Sequence, residues 1–433
     1  MTTTMRTDQY GGVKAGAYEA TGFFRLEEED GRHFFVTPEG NPYFMLGMNT
    51  VTPWFWNYLN NGFENVYGGD SLLWGKVALE RVKKWGFNCL TYKTSELLIR
   101  QMEAGKVPIM PYAPVLKFIE NNALERDDFP DPWTYSFMDH MDSVAYNLEA
   151  LQHSPWLVGY FITNEMDCEV KIGWRNRWLR TLLQLNEAPS ANVFRGILRS
   201  QYNNIFEFNE KYNTGYSYWG AVEPWVVGKA FRDGMEEAEK DMQLFNAALA
   251  RQFYKLAHES ISRYDPNHLI LGSRFATDAE KHVLIGTKNF TDVVSLNRYF
   301  QIGTFDYLFE GLNKMHRHTG LPVLHSEFAW LIEGRDGAYP PAPKQAARGE
   351  AYAEWLNHAL EIKELIGTCW YGYVDGGWVT EPGGEVMNFG LVDIHDKPYT
   401  PAVVKIQKAN REAVRRFAML FRRVKSTETP HVM

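Results

Sequence analysis

Cysteine is scarce. Three thiols, Cys89, Cys168 and Cys369, are spread through 433 residues, too few and too far apart for a disulfide framework or a metal-ligand spacing. No His/Asp cluster and no glycine-rich phosphate loop stands out, so neither a metal nor a cofactor is expected. No apolar run approaches the twenty or so residues that a bilayer span needs, and no membrane partner is expected. The stretch from Met1 to Gly16 is polar and lacks the apolar core of a secretory leader. The expectation is a cytoplasmic protein, or a secreted one whose leader has been trimmed. Positive charge is not in excess: the formal net charge is −8, which argues against nucleic acid as the main partner. There is no Pro/Ser-rich linker and no internal repeat, so residues 1–433 read as one domain.

What the chain does have is a large apolar fraction, 45%, and 15% aromatic residues, including 14 Trp and 23 Tyr. That is ample for a large core. Sugar rings present flat C–H faces, so an aromatic-rich cleft also suits carbohydrate. Trp54 and Trp56, in the loop Thr52 to Gly69, serve equally well as sugar platforms or as loop anchors.

The pattern alternates between strands and helices. A hairpin, Phe23–Leu26 and Arg32–Thr37, precedes strand one, Tyr43 to Asn49. Strand two is 87–92, strand three 107–112 and strand four 156–165, with helices Leu72–Trp85, Glu96–Ala104 and Phe137–Gln152 between them. A long helical insertion, residues 166–268, follows. Strand five is 269–274, strand six 293–297 and strand seven 321–327. Strand eight is 367–373, and a closing helix runs from Pro401 to Phe421. Eight strands alternating with helices predict an α/β fold, a (β/α)8 TIM barrel with a long helical insertion after strand four and a small N-terminal β-hairpin.

Two of these strands end in glutamate. Trp156–Ile162 is apolar and then gives Thr163-Asn164-Glu165; Leu321–Leu324 is apolar and gives His325-Ser326-Glu327. Polar residues at the C-terminal end of a barrel strand face the active-site mouth. Most glutamates are surface or ion-paired residues, so one Asn-Glu pair means little. Two such strands, fourth and seventh of eight, bring two carboxylates to one rim, as glycoside cleavage requires: one donates a proton, the other is nucleophile or base. The proton donor needs a raised pKa, from burial and a neighbouring carboxylate. Asn164 offers an amide to a sugar hydroxyl. Tyr299, after strand six, is placed to donate to Glu327, and Asn297 is the other polar group there. Arg274 ends strand five, facing either substrate or a glutamate, and Asn49 ends strand one. His325, two residues before Glu327, points by alternation to the same side.

At this point the sequence resembles a known group. Gly159-Tyr160-Phe161-Ile162-Thr163-Asn164-Glu165 and His325-Ser326-Glu327-Phe328 look like the acid/base and nucleophile motifs of the clan A retaining glycoside hydrolases. Three further stretches resemble the β-agarase family and, more loosely, the barrel β-galactosidases. They are 35–49, 202–219 and Asn388-Phe389-Gly390-Leu391-Val392-Asp393 with Asp396-Lys397-Pro398-Tyr399. Thr163 stands where the family pattern has Asp. The resemblance implies Glu165 as acid/base and Glu327 as nucleophile of a retaining β-glycosidase on β-linked, β-galactoside-type oligosaccharides; the long insertion, read as a lid, and the expected intracellular location point to exo action on short chains. The resemblance also implies Trp370 as a sugar platform beside the scissile bond, with Trp330, Tyr371 and Trp378 near it in sequence. A transglycosidase and a catalytically inactive carbohydrate-binding barrel are the alternatives. An oligosaccharide is the expected partner; a homo-oligomer is left open.

Overall fold

The computed structural model describes residues 6–14, 18–53, 62–116, 118–119, 130–166, 177–276, 279–332, 341–376 and 388–424. Trp54, Trp56, Cys168, Trp174 and Trp378, with most of the loops 121–133 and 335–344, lie outside the described residues.

Strands β1 (Arg25–Glu29), β2 (Arg32–Val36) and β3 (Pro42–Tyr43) form an antiparallel sheet of their own. The turn between β1 and β2 has Asp30 and Gly31 both at positive φ, the signature of a two-residue hairpin loop. The remaining strands are parallel. They are β4 (Met45–Met48), β5 (Cys89–Leu90), β6 (Gly159–Tyr160), β7 (Leu269–Ile270), β8 (Arg274–Phe275), β9 (Val294–Asn297), β10 (Val323–Phe328) and β11 (Leu365–Trp370). Six of them form one sheet in the order β5-β4-β11-β10-β9-β8, while β6 pairs with β7. Single parallel bridges join the rest: Leu90 to Tyr112, Tyr112 to Leu157, Val115 to Phe161 and Asn164 to Arg274.

Strands two and four are shorter than expected, at Cys89–Leu90 and Gly159–Tyr160, and strands three and five are reduced for identifiable reasons. Strand three survives as the bridge at Tyr112, because Pro108 and Pro111 have no N–H to donate to a ladder. Strand five is cut into β7 and β8 at Gly272. Its φ of +69° is a conformation that favours glycine, and a Cβ there would lie 2.5 Å from the Val293 carbonyl oxygen.

An inner apolar cluster draws on Met45, Cys89, Ala113, Val158, Phe161, Leu271, Val293, Leu324, Ile366 and Cys369, which lie in or beside the parallel strands. A much larger cluster fills the space between strands and helices. Helices start where capping permits. Asp70 accepts from the backbone of Leu72 and Leu73 to begin Ser71–Lys84, and Ser95 caps Glu96–Glu103. The segment after β6 holds several helices, of which Glu236–Tyr264 is the longest. It buries Met242, Phe245, Leu249, Phe253, Ala257 and Ile261, three or four residues apart on one face. Its buried Asp241 accepts the hydroxyls of Tyr202 and Tyr212, each at 2.6 Å, which ties the helix to the rest of the segment. No described helix is long and apolar enough to cross a membrane.

Candidate active site

Where the strand carrying Tyr160 runs out, Asn164 bridges Arg274 and the Glu165 N–H donates to the Arg274 carbonyl at 3.0 Å. Glu165 then turns left-handed, with φ 56°. That is an uncommon conformation for a residue with a Cβ, and such outliers concentrate at functional sites. The residue is partly exposed, and its carboxyl accepts the Asn297 Nδ2 at 2.8 Å. Burial raises its pKa above the ordinary carboxylate value, and the charge of Glu327 adds to the shift.

Glu327 comes from β10, where the pairing with β9 shifts register between His325 and Glu327, so that Glu327 lies opposite Asn297. Its carboxylate is almost fully buried and accepts at both oxygens. The Arg274 Nη2 reaches Oε2 at 2.8 Å and the Tyr299 hydroxyl reaches Oε1 at 2.8 Å. Ser326 sits in the shift. Its hydroxyl donates to Asn297 Oδ1 at 2.7 Å, and its carbonyl accepts from Asn49 Nδ2 (3.0 Å) and Arg274 Nη2 (2.9 Å). Asn297 thereby donates to the Glu165 carboxyl through its amide nitrogen and accepts the Ser326 hydroxyl, next to Glu327, at its amide oxygen. The two carboxylates, 162 positions apart in the chain (327 − 165), belong to one hydrogen-bonded cluster.

Arg274 is the hub of that cluster. Its guanidinium donates to Glu327, to Asn164 Oδ1 and to the Ser326 carbonyl, and lies over the Tyr92 ring at 4.0 Å. It is fully buried. Breaking a buried ion pair from one side leaves a charge without compensation, which costs about 3–5 kcal/mol. Arg274→Met should lose stability on that scale in urea unfolding; a loss below about 1 kcal/mol would show that the pair carries little.

Several residues expected to meet substrate are buried. Asn49 and Arg274 are fully buried, and Asn297 is nearly so; Arg274 and Asn297 bond to the carboxylates, and Asn49 to the Ser326 carbonyl beside Glu327. The register shift breaks the alternation on which His325 was placed. Its ring stacks on Phe328 at 4.8 Å and meets Trp355 and Phe300, its Nε2 pairs with the Arg298 carbonyl, and burial pushes its pKa down to about 3. Trp330 and Trp370 have no exposed face. They pack against each other, with Trp370 also against Phe328 and Tyr352, so neither offers a platform to a sugar. Asn164 and Tyr299 retain partial exposure beside the glutamates.

Thr91, Tyr92 and Lys93, and Ser326 within its motif, carry no site role in the sequence pattern yet belong to the cluster or its rim. Thr91 donates to Asn49 Oδ1 at 2.6 Å. Lys93, left-handed at φ 53°, has its amine lowered by burial, against the opposing pull of Glu327 and Glu165. The signal was present: Thr91-Tyr92-Lys93 ends strand two as Asn164-Glu165 ends strand four. Thr163 joins Ser273 through a 2.6 Å hydroxyl contact, and Tyr254 of the long helix donates to Ser273 at 2.6 Å.

No family model matches the chain. Among curated proteins it is similar to β-agarase A of Vibrio sp. (strain JT0107), 27% identical over 374 residues, covering 79% of this chain and 36% of that protein. It is also similar to β-agarase B of the same strain, 22% identical over 485 residues, covering 93% and 49%. The chain thus spans between about a third and a half of the curated relatives it matches. Among solved structures, an exo-β-agarase superposes with a TM-score of 0.77 at 20% identity, covering 94% of this chain and 67% of that one. The chain is a mixed helix and strand protein that resembles the β-agarases in sequence and shares their fold.

Proposed function

We propose that the protein is a retaining β-glycosidase acting on β-linked, β-galactoside-type oligosaccharides from the chain end. The observation that carries this reading is the pair of carboxyls linked through Asn297, Asn164 and Arg274 in one hydrogen-bonded cluster and held in contrasting surroundings. Glu165 is desolvated and pushed up by its neighbour, as a proton donor must be. Glu327 accepts from a guanidinium and a phenol, as an ionised carboxylate does. The agarase names of the relatives support galactose-containing substrates, and the exo-β-agarase neighbour supports attack from one end.

In the first step Glu327 attacks the anomeric carbon while Glu165 gives its proton to the departing glycosidic oxygen, leaving a glycosyl ester on Glu327. In the second, Glu165, now a carboxylate, takes a proton from water as the water oxygen attacks the same carbon. Glu327 leaves, and the sugar departs with its original configuration.

The parallel pairings, followed from β5 through Tyr112, β6, β7 and β8 and back along the six-stranded sheet to β5, support a (β/α)8 barrel read as one catalytic domain. Residues 166–268 are then an insertion on its rim. In that frame Thr91–Lys93, Asn164–Glu165 and Glu327 all sit at C-terminal strand ends, where barrel active sites are built. The test is a panel of aryl β-glycosides (galactoside, glucoside, mannoside, xyloside, fucoside) together with agarose-derived oligosaccharides. The galactoside-type compounds should be cleaved to short products of one size from one end. Absence of turnover across the panel, or a ladder of products from internal cleavage, would contradict the reading.

A further inference from the structure

The stretch Asn388-Phe389-Gly390 lies outside the chemistry described so far, yet it is held with unusual expense. Arg348, fully buried, spends its guanidinium on two backbone carbonyls of this stretch: Phe389 at 2.5 Å and Gly390 at 3.0 Å. Asp375, also buried, accepts the Gly390 N–H at 2.8 Å, the Asn388 amide at 2.8 Å and the Tyr399 hydroxyl at 2.5 Å. Leu391 and Val392 donate to the Tyr373 carbonyl, and Asp375 donates back to Val392. Gly390 lies so close to residues 374–375 that a Cβ would sit 2.2 Å from the Asp375 nitrogen. Burying charged groups to fix a loop is costly, so the placement of that loop matters.

What the loop presents is the Phe389 ring. It is buried, 5.7 Å from the Tyr299 ring and 5.3 Å from the Tyr371 ring. Tyr299 is the phenol that donates to Glu327 Oε1 at 2.8 Å.

We propose that residues 388–390, clamped by Arg348 and Asp375, act through Phe389 as a positioning device that holds Tyr299 against the nucleophile. The inference rests on Glu327 being that nucleophile. Phe389 is a positioning residue: its ring packs on Tyr299, and its effect passes through the phenol. A rotated Tyr299 would leave Glu327 Oε1 without its donor and its aim at the anomeric carbon less constrained, and small misplacements of reacting groups are expensive in rate.

The test is a double-mutant cycle on the whole protein, pairing Phe389→Ala with Tyr299→Phe and reading the pH profile of each variant. Phe389→Ala should lower kcat by about ten- to a hundredfold with little change in KM, and move the acid limb of kcat/KM to higher pH. In the Tyr299→Phe background the same substitution should cost almost nothing more, because the two residues act in series. Additive losses, or an acid limb that stays in place, would overturn the proposal. If Phe389→Ala fails to fold, Phe389→Leu must show the same non-additivity at smaller size. Glu327→Ala distinguishes the two levels. If that variant is inactive and the cycle is additive, only the positioning role falls; if it keeps full activity, the nucleophile reading and this inference fall together.

Discussion

Glu327→Ala should lose at least about 10⁴-fold in turnover of a β-galactoside-type substrate, since removing one member of a catalytic unit removes most of what the unit does. The substitution also leaves the buried Arg274 without its partner and should cost stability, but the lost turnover should be chemical in origin, and azide tests that directly. Truncation to alanine opens a space beside the anomeric carbon and leaves Arg274 and Tyr299 still aimed into it. A small anion entering that space can attack in place of the carboxylate, so azide should restore turnover and yield the glycosyl azide of inverted configuration. Full activity in Glu327→Ala would remove the nucleophile from the account. Rescue that yields a retained product would remove the geometry.

The second large effect belongs to Glu165. Glutamine keeps the shape and can still meet the Asn297 side chain, but has no proton to give. General acid catalysis contributes about 10²–10⁴-fold, and Glu165→Gln should lose that much on a natural sugar leaving group. An aryl glycoside whose leaving group departs unaided should lose far less in the first step and then stall at the second, where a base is needed. The pH dependence follows from the raised pKa. Because burial and the Glu327 charge keep Glu165 protonated to higher pH than an ordinary glutamate, wild-type kcat/KM should fall only as the solution passes above that raised value. The glutamine variant should lack this alkaline limb. An unchanged limb would assign it to another group.

Much of this was legible in the sequence because parallel strands announce themselves twice, by an apolar run and by the polar residue that ends it. Thr163-Asn164-Glu165 and His325-Ser326-Glu327 could be read that way, as could most of the helices. What resisted reading was geometry that single-residue alternation does not encode. The shift opposite β9 turns His325 into the aromatic layer and leaves Ser326 bonded to Asn297. Arg274 could have faced outward to substrate or inward to a glutamate; the partner that decides, Glu327, lies 53 residues away. Trp370 looked like a platform from its place at a strand end, but Phe328, Trp330 and Tyr352 enclose it. Stretch 388–393 carried a family likeness without a physical role until Phe389 was seen against Tyr299.

The most direct measurement is mass spectrometry of the protein after exposure to a 2-deoxy-2-fluoro-β-galactosyl fluoride, whose ring fluorine slows both steps while its good leaving group preserves the first. The account predicts one added fluorosugar per chain, on the peptide containing Glu327, released slowly on dilution. An adduct on Glu165 or on any other peptide, or cleavage of β-galactosides by a protein that never forms one, would contradict it.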